Sequence, residues 1–360
     1  MGLGAMLIRA DAGPEIGTGH VMRCLALAQA WQDRGGRTVF LMAQATPAIR
    51  ERLSRESCEI LLCDAVVGSA NDACGTLDAA RRLECEWLVL DGYQFDSAYG
   101  AGLSGRGFGV LYVDDSGKGQ HSADIILNPN LTAAESQYKM RSDETQLLLG
   151  TNYSLLRREF RNWSGWRREI PPIAREILLT LGGSTPEPLA LCILEALGQV
   201  KHQFERAVFV LGASSGELES LQYAAEQMKD ETCFVRAPTD MATLMAKADV
   251  AIAAAGSTCW EMCFMGLPAL IVDVAENQTA EAMELHRQGY AKYLGSGSTL
   301  TPGTLAAELS ELLAARDGRR KMAERCRKLV DGRGAERVAA AMIERGSNRV
   351  IPAIQEWGRA

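Results

Sequence analysis

The chain has 360 residues, 47% of them apolar, and a formal net charge of −7. That length suits two globular domains better than one. The acidic balance argues against a nucleic-acid binder, and no apolar run approaches the roughly twenty residues a membrane-inserted helix needs. Ten cysteines without CxxC spacing, and no secretion signal, point to a cytoplasmic protein with buried, reduced thiols. Cys259 and Cys263 share a helix face but lack a second ligand pair, so no metal site is expected.

Residues 6–10 (MLIRA) are an apolar run of strand length, bounded by Asp11, Gly13 and Pro14. Gly17-Thr18-Gly19-His20 follows, and Val21, Cys24, Leu25, Ala28 and Trp31 then recur at helical spacing. A helix entrance after a glycine turn is a natural anion site, because open N–H groups and the macrodipole point there. The residues alone leave His20 two readings. A neutral imidazole at a helix start can take a proton from water; the same ring can also cap the turn or hydrogen-bond a phosphate.

Further strands are predicted at 37–43, 59–63, 86–91, 109–113 and 125–127, with helices over 48–55 and ending at 79–82. Strands that alternate with helices and end in polar residues indicate a parallel, doubly wound sheet. Ligands of such sheets sit beyond the carboxyl ends of the strands. Asp11, Asp91, Tyr93, Asp114, Asp115 and Asn128 are therefore expected to rim one cleft with His20, although each also suits a cap or turn. Residues 147–172 mix arginines, tryptophans and a diproline, and read as a domain connection with a solvated linker helix.

A second unit opens with a strand at 176–181 that runs into Gly182-Gly183-Ser184-Thr185 and a helix at 189–197. Strands follow at 207–211, 233–235, 249–253 and 267–272, and helices at 241–247, 259–265 and 279–288, with a polar loop over 273–278. Gly256-Ser257-Thr258 is a further glycine turn between strand and helix. The basic run 318–328 has its charges at helical spacing and reads as a solvated face. Two such halves predict an α/β protein of two Rossmann-like, doubly wound domains facing a ligand cleft. Neither of the first two glycine turns completes a dinucleotide fingerprint (Met22 stands where a third glycine is due), and no Walker loop occurs. Phosphate binding by bare helix N-termini, the habit of nucleotide-sugar proteins, is what remains.

The stretches IRADAGPEIGTGHVMRCLALA, DGY, VDD, LLGTNYSLLRREF, LTLGGS, AAAGSTCWEMCFMGLPALIVDVAENQ and DGRGAERV together resemble one family along nearly the whole chain. It is the UDP-2,4-diacetamido-2,4,6-trideoxy-β-L-altropyranose hydrolases of pseudaminic acid biosynthesis, relatives of the MurG glycosyltransferases. The resemblance implies a GT-B fold, with a first Rossmann-like domain over 1–160, a UDP-binding domain over 172–346 and a tail over 347–360 that crosses back. It implies a UDP-sugar substrate and no metal or other cofactor: water attacks C1 with inversion, and UDP leaves. In that scheme His20 is the base or water-positioning residue, and Asn277 and Tyr93 act beside the sugar. Gly17, Gly19, Gly182, Gly183, Ser184, Gly256, Ser257, Thr258, Glu261 and Gln278 would bind the UDP-sugar, Glu261 through the ribose hydroxyls. Thr185 departs from the pattern, which leads one to expect aspartate there, and His121, His202 and His286 match nothing in it. The alternatives are a transferase in which an acceptor hydroxyl replaces water, and a nucleotide-sugar binder without turnover.

Overall fold

The computed structural model describes residues 3–117, 121–183, 185–213, 220–221 and 232–347. Ser184 and the stretch 348–360 lie outside the described residues.

Seven strands make the first lobe: β1 (Ala5–Ala10), β2 (Arg37–Met42), β3 (Glu59–Leu62), β4 (Cys85–Asp91), β5 (Gly109–Val113), β6 (Ile125–Asn128) and β7 (Gln146–Leu149). They pair in parallel in the order β3-β2-β1-β4-β5-β6-β7, so the order reverses between β1 and β4. Every residue of β1 is buried, as a parallel strand covered by helices on both faces must be. Helices α1 (Gly19–Gln32), α2 (Pro47–Arg55), α3 (Ala70–Arg82) and α4 (Ser97–Leu103) follow the first, second, third and fourth strands.

The second lobe repeats the plan with β8 (Glu176–Thr180), β9 (Arg206–Leu211), β10 (Thr232–Arg236), β11 (Val250–Ala254), β12 (Ala269–Asp273) and β13 (Lys292–Ser296), ordered β10-β9-β8-β11-β12-β13. Its described helices are α5 (Glu187–Val200), α6 (Met241–Lys247), α7 (Thr258–Met265), α8 (Thr279–Arg287), α9 (Pro302–Ala314) and α10 (Arg316–Leu329). Here the order reverses between β8 and β11. Each reversal opens a crevice at the carboxyl end of the sheet. The glycine turns after β1, β8 and β11 stand beside these crevices.

A last helix, α11 (Gly334–Ser347), returns to the first lobe. Its Ala335, Val338, Ala339 and Met342 share one apolar core with Val21, Cys24, Leu25 and Trp31 of α1. This explains why α1 is broader in its burial than the apolar stripe suggests: residues 24–31 are all buried, because the sheet covers one side and α11 the other. Burying a side chain such as Met342 stabilises the contact by roughly 1.5–3 kcal/mol.

Four expectations need correction. Residues 146–149 form β7, so the connection between lobes begins only at Gly150. The connection is also no solvated helix: it folds into two 3₁₀ turns, Thr151–Tyr153 and Arg158–Trp163, with Phe160 buried in the second lobe's core. Within the basic run, Arg319 is fully buried, and its Nη2 donates to the Pro171 and Pro172 carbonyls at 2.9 and 3.1 Å. The thiols are all free but less uniformly buried than composition suggests, since Cys74 is exposed and Cys63, Cys192 and Cys233 are half-buried. Among the described residues no helix is long and apolar enough to cross a membrane.

Candidate active site

Residues from the carboxyl ends of both sheets line one cleft of about 1020 Å³. The first lobe supplies Gly17, Gly19, His20 and Tyr93, and the second supplies Gly182, Gly183, Gly256, Ser257, Thr258, Glu261, Asn277 and Gln278. The two glycine turns abut. A Cβ on Gly183 would lie 2.1 Å from Thr18 Oγ1 and 2.2 Å from its amide nitrogen, so only glycine lets the lobes approach this closely. Neither Thr18 before α1 nor Ser257 before α7 caps its helix with its side chain, which leaves those first-turn N–H groups to other acceptors.

The polar residues expected around His20 divide. Tyr93 and Asp115 line the cleft, while Asp91 lies buried beneath His20. Asp11 turns away: it accepts from the amides of Ala43 and Gln44 and from Arg9, at 2.6 to 2.9 Å. Asn128 likewise accepts from the Asn130 amide and donates to the Tyr138 hydroxyl. Short polar side chains at strand ends bond the nearby backbone readily, and these two are consumed that way. Asp114 faces a smaller side cavity. Thr185 is buried in the turn ahead of Pro186, the N-cap of α5.

His20 sits in the first turn of α1, and its Nδ1 lies 2.6 Å from Asp91 Oδ1 at the end of β4. Burial alone would raise the Asp91 carboxyl, but the Arg23 charge and then His20 hold it well below the usual carboxylate range. An ionised Asp91 can only accept, so Nδ1 carries the proton and Nε2 is the nitrogen able to take one. The approach of Arg23 Nη2 to Nδ1 at 3.1 Å is then a contact between two donors. Arg23 grips Asp91 through Nε and Nη2, each at 2.6 Å, and Asp115 through Nη1 at 2.6 and 2.7 Å. The Cys24 thiol donates to the same Asp91 at 3.2 Å. Tyr93 meets the imidazole edge-on, with centroids 5.0 Å apart, and donates to Asp115. Asn277 reaches across the cleft to donate to the Tyr93 hydroxyl at 2.9 Å.

In the second lobe Glu261, in the first turn of α7, pairs with Arg157 at 2.8 Å. Burial pushes its carboxyl up, and Arg157 offsets this only in part. Arg157 also binds Glu159, which in turn meets Arg52 of α2 at 2.6 Å. Gln278 lines the cleft near Gly256 and accepts from the Val274 amide.

Sequence reasoning missed Arg23 and Arg157. The signal for Arg23 was available, because position 23 lies three residues after His20 and hence on its face of α1. Arg157 lies in the stretch LLGTNYSLLRREF, but nothing local shows its role, since its partner Glu261 stands far along the chain.

Two doubly wound lobes with their glycine turns on a shared cleft define a GT-B protein. The structure of MurG from Acinetobacter baumannii superimposes with a TM-score of 0.62 over 95% of this chain and 99% of that one, at 19% identity. Residues 177–338 match the glycosyltransferase family 28 C-terminal domain. The chain belongs to the family of the spore coat polysaccharide biosynthesis protein SpsG of Bacillus subtilis, with 31% identity over 237 residues, 65% of this chain and 68% of that protein. It is also similar to the UDP-2,4-diacetamido-2,4,6-trideoxy-beta-L-altropyranose hydrolase of Campylobacter jejuni, at 25% identity over 79% of this chain and 97% of that protein.

Proposed function

We propose that the chain hydrolyses a UDP-linked 2,4-diacetamido-2,4,6-trideoxy sugar at its anomeric carbon, in a cytoplasmic route to a nonulosonic acid such as pseudaminic acid. The observation that carries this reading is the His20–Asp91 pair, 2.6 Å apart, at a helix entrance that shares its cleft with the second lobe's glycine turn. Similarity to the Campylobacter jejuni hydrolase along 97% of that protein supports the choice of substrate.

In this reading Glu261 accepts hydrogen bonds from the ribose hydroxyls. Gly256, Ser257 and Thr258, with Gly17 and Gly19 opposite, cradle the diphosphate, and Gly182 and Gly183 let both lobes close on it. Asn277, Gln278 and Tyr93 hold the sugar. His20 Nε2 takes a proton from water as the water oxygen bonds to C1; the bond from C1 to the diphosphate oxygen breaks, and its electron pair leaves with UDP. Inversion follows from attack opposite the leaving group. Asp91 steadies the positive charge that develops on the imidazole. UDP leaves readily once helix N–H groups meet its charge, so the scheme requires neither a general acid nor a metal.

The test is to incubate the protein with UDP-2,4-diacetamido-2,4,6-trideoxy-altrose and a chelator, without any acceptor, and to follow UDP. Stoichiometric UDP and free sugar, formed first as the inverted anomer, are expected. UDP release only after an acceptor hydroxyl is added would place the chain with the transferases that the family 28 match suggests. UDP binding without release in either case would make it a binder.

A further inference from the structure

Beside the main cleft, and sharing His20, Arg23, Tyr93 and Asp115 with its wall, lies a second cavity of about 260 Å³. It is lined further by Asp96, Ser97, Asp114, Ser116, Tyr112 and His121. His121 is about nine-tenths buried, and both of its ring nitrogens lack a hydrogen-bond partner. The nearest carboxylate oxygen, Asp114 Oδ2, stands 3.7 Å from Nε2, beyond hydrogen-bond reach. The ring is nevertheless fixed, stacked on Tyr112 with centroids 3.9 Å apart. A buried, oriented imidazole with a hydrogen bond at neither nitrogen, and only the Asp114 charge nearby, is costly unless a ligand or a water meets it.

The surrounding carboxylates restrict what that ligand is. Asp114 already accepts from the Ser116 amide and hydroxyl and from the Gly117 amide, Asp96 from the Tyr99 amide, and Asp115 from Arg23. Negative charge on this wall disfavours a phosphate or carboxylate, and among the described residues no group of three or more His, Cys, Asp or Glu side chains is placed to hold a metal ion. A neutral amide fits: its carbonyl accepts from the imidazole N–H, and its own N–H or a neighbouring hydroxyl donates to the remaining acceptors.

We propose that this cavity is the subsite for an N-acylamino substituent of the sugar, the end remote from the nucleotide, and that His121 reads that amide. The inference rests on the reading that the sugar lies over His20. It makes His121 a specificity-determining residue for acylamino sugars, outside every motif that carries the family resemblance.

The experiment measures binding of two free sugars, 2,4-diacetamido-2,4,6-trideoxyhexose and its analogue lacking the 4-acetamido group, by calorimetry and saturation-transfer NMR. His121→Phe keeps a flat ring against Tyr112 and removes both nitrogens, while His121→Gln restores an amide donor and acceptor; UDP affinity reports whether each variant is folded. The wild type is expected to prefer the diacetamido sugar, His121→Phe to lose about tenfold in affinity for it together with the preference, and His121→Gln to recover part of both. UDP affinity should be unchanged throughout. Equal sugar affinity in wild type and His121→Phe, no sugar binding by the wild type, or a parallel fall in UDP affinity would each overturn the subsite. Failure of the proposed reaction looks different: the sugar binds in a His121-dependent way, yet the UDP-linked sugar is not turned over.

Discussion

Replacing Asp91 by asparagine separates the charge beneath His20 from the shape that holds it. The amide offers one oxygen and an NH₂ group, and an NH₂ facing Nδ1 favours the tautomer protonated at Nε2, which cannot accept a proton from water. General-base catalysis contributes on the order of 10²–10⁴-fold. The kcat for UDP release from the diacetamido sugar is therefore expected to fall by that factor, with the Kd for UDP unchanged. Stability falls as well. Asp91 accepts three contacts at 2.6 Å, one from His20 and two from Arg23, but Arg23 keeps both of its bonds to Asp115. The loss should therefore lie near the roughly 1–3 kcal/mol of an unsatisfied buried group, below the ~3–5 kcal/mol of a buried charge stripped of its partner. Folding lowers the Asp91 pKa, so its contribution is present above the unfolded carboxyl value of about 3.9 and is lost as pH falls. Urea unfolding should show the full gap between wild type and variant at pH 7 and a narrowing gap below about pH 4. A variant with kcat within a few-fold of wild type would remove Asp91 from control of the tautomer. A gap that persists undiminished in acid would show that the carboxylate charge is not what secures Arg23.

His20→Ala should lower kcat on the order of 10²–10⁴-fold and leave UDP affinity intact in calorimetry; equal loss of both would make His20 a phosphate ligand. Glu261→Gln should weaken UDP binding by about 10–100-fold, the worth of hydrogen bonds to a charged group, and abolish discrimination between UDP and 2′-deoxy-UDP. Discrimination that survives would move the ribose elsewhere. Gly183→Ala forces a methyl group into Thr18, so the lobes should part, with a larger radius of gyration in X-ray scattering and a fall in kcat/KM; an unchanged radius and rate would mean the contact is not maintained in solution.

The parts of the site that the sequence disclosed share one local grammar: an apolar strand, a glycine turn or a polar strand end, then a helix. His20, Asp91, Tyr93, Ser257 and Glu261 all belong to such units, and the periodicity that locates the elements also places these residues at the carboxyl ends of parallel strands. Each sheet's order then gathers its own set at one crevice, and the close packing of Gly183 on Thr18 brings the two sets onto a shared cleft. What stayed hidden is long-range. Arg157 lies in a connection whose composition suggests solvation, and its burial follows from the pairing with Glu261 and Glu159 and from its place over the Phe160 ring. The width of buried surface on α1 depends on α11, whose first residue lies some three hundred positions later in the chain. Asp11 shows the reverse case, a strand-end carboxylate in the right kind of place that the backbone of the next loop consumes.

Two buried carboxylates thus serve the cleft from opposite electrostatic settings. Asp91 has Arg23 on both oxygens, with His20 and Cys24 adding donors, so it stays ionised and its charge is committed to orienting the imidazole. Glu261 has one arginine in direct contact, Arg157, with Arg52 a weaker charge farther off; Arg157 is shared with Glu159, whose own charge opposes ionisation of Glu261. Hydrogen bonds that favour the charged form of a carboxyl lower its pKa. Hydroxyl donors arriving at Glu261 therefore supply what Arg157 leaves incomplete, whereas donors arriving at Asp91 would find its oxygens already filled. Under the proposed reaction, these two settings suit Glu261 to a diol and Asp91 to a lasting anion beneath a base.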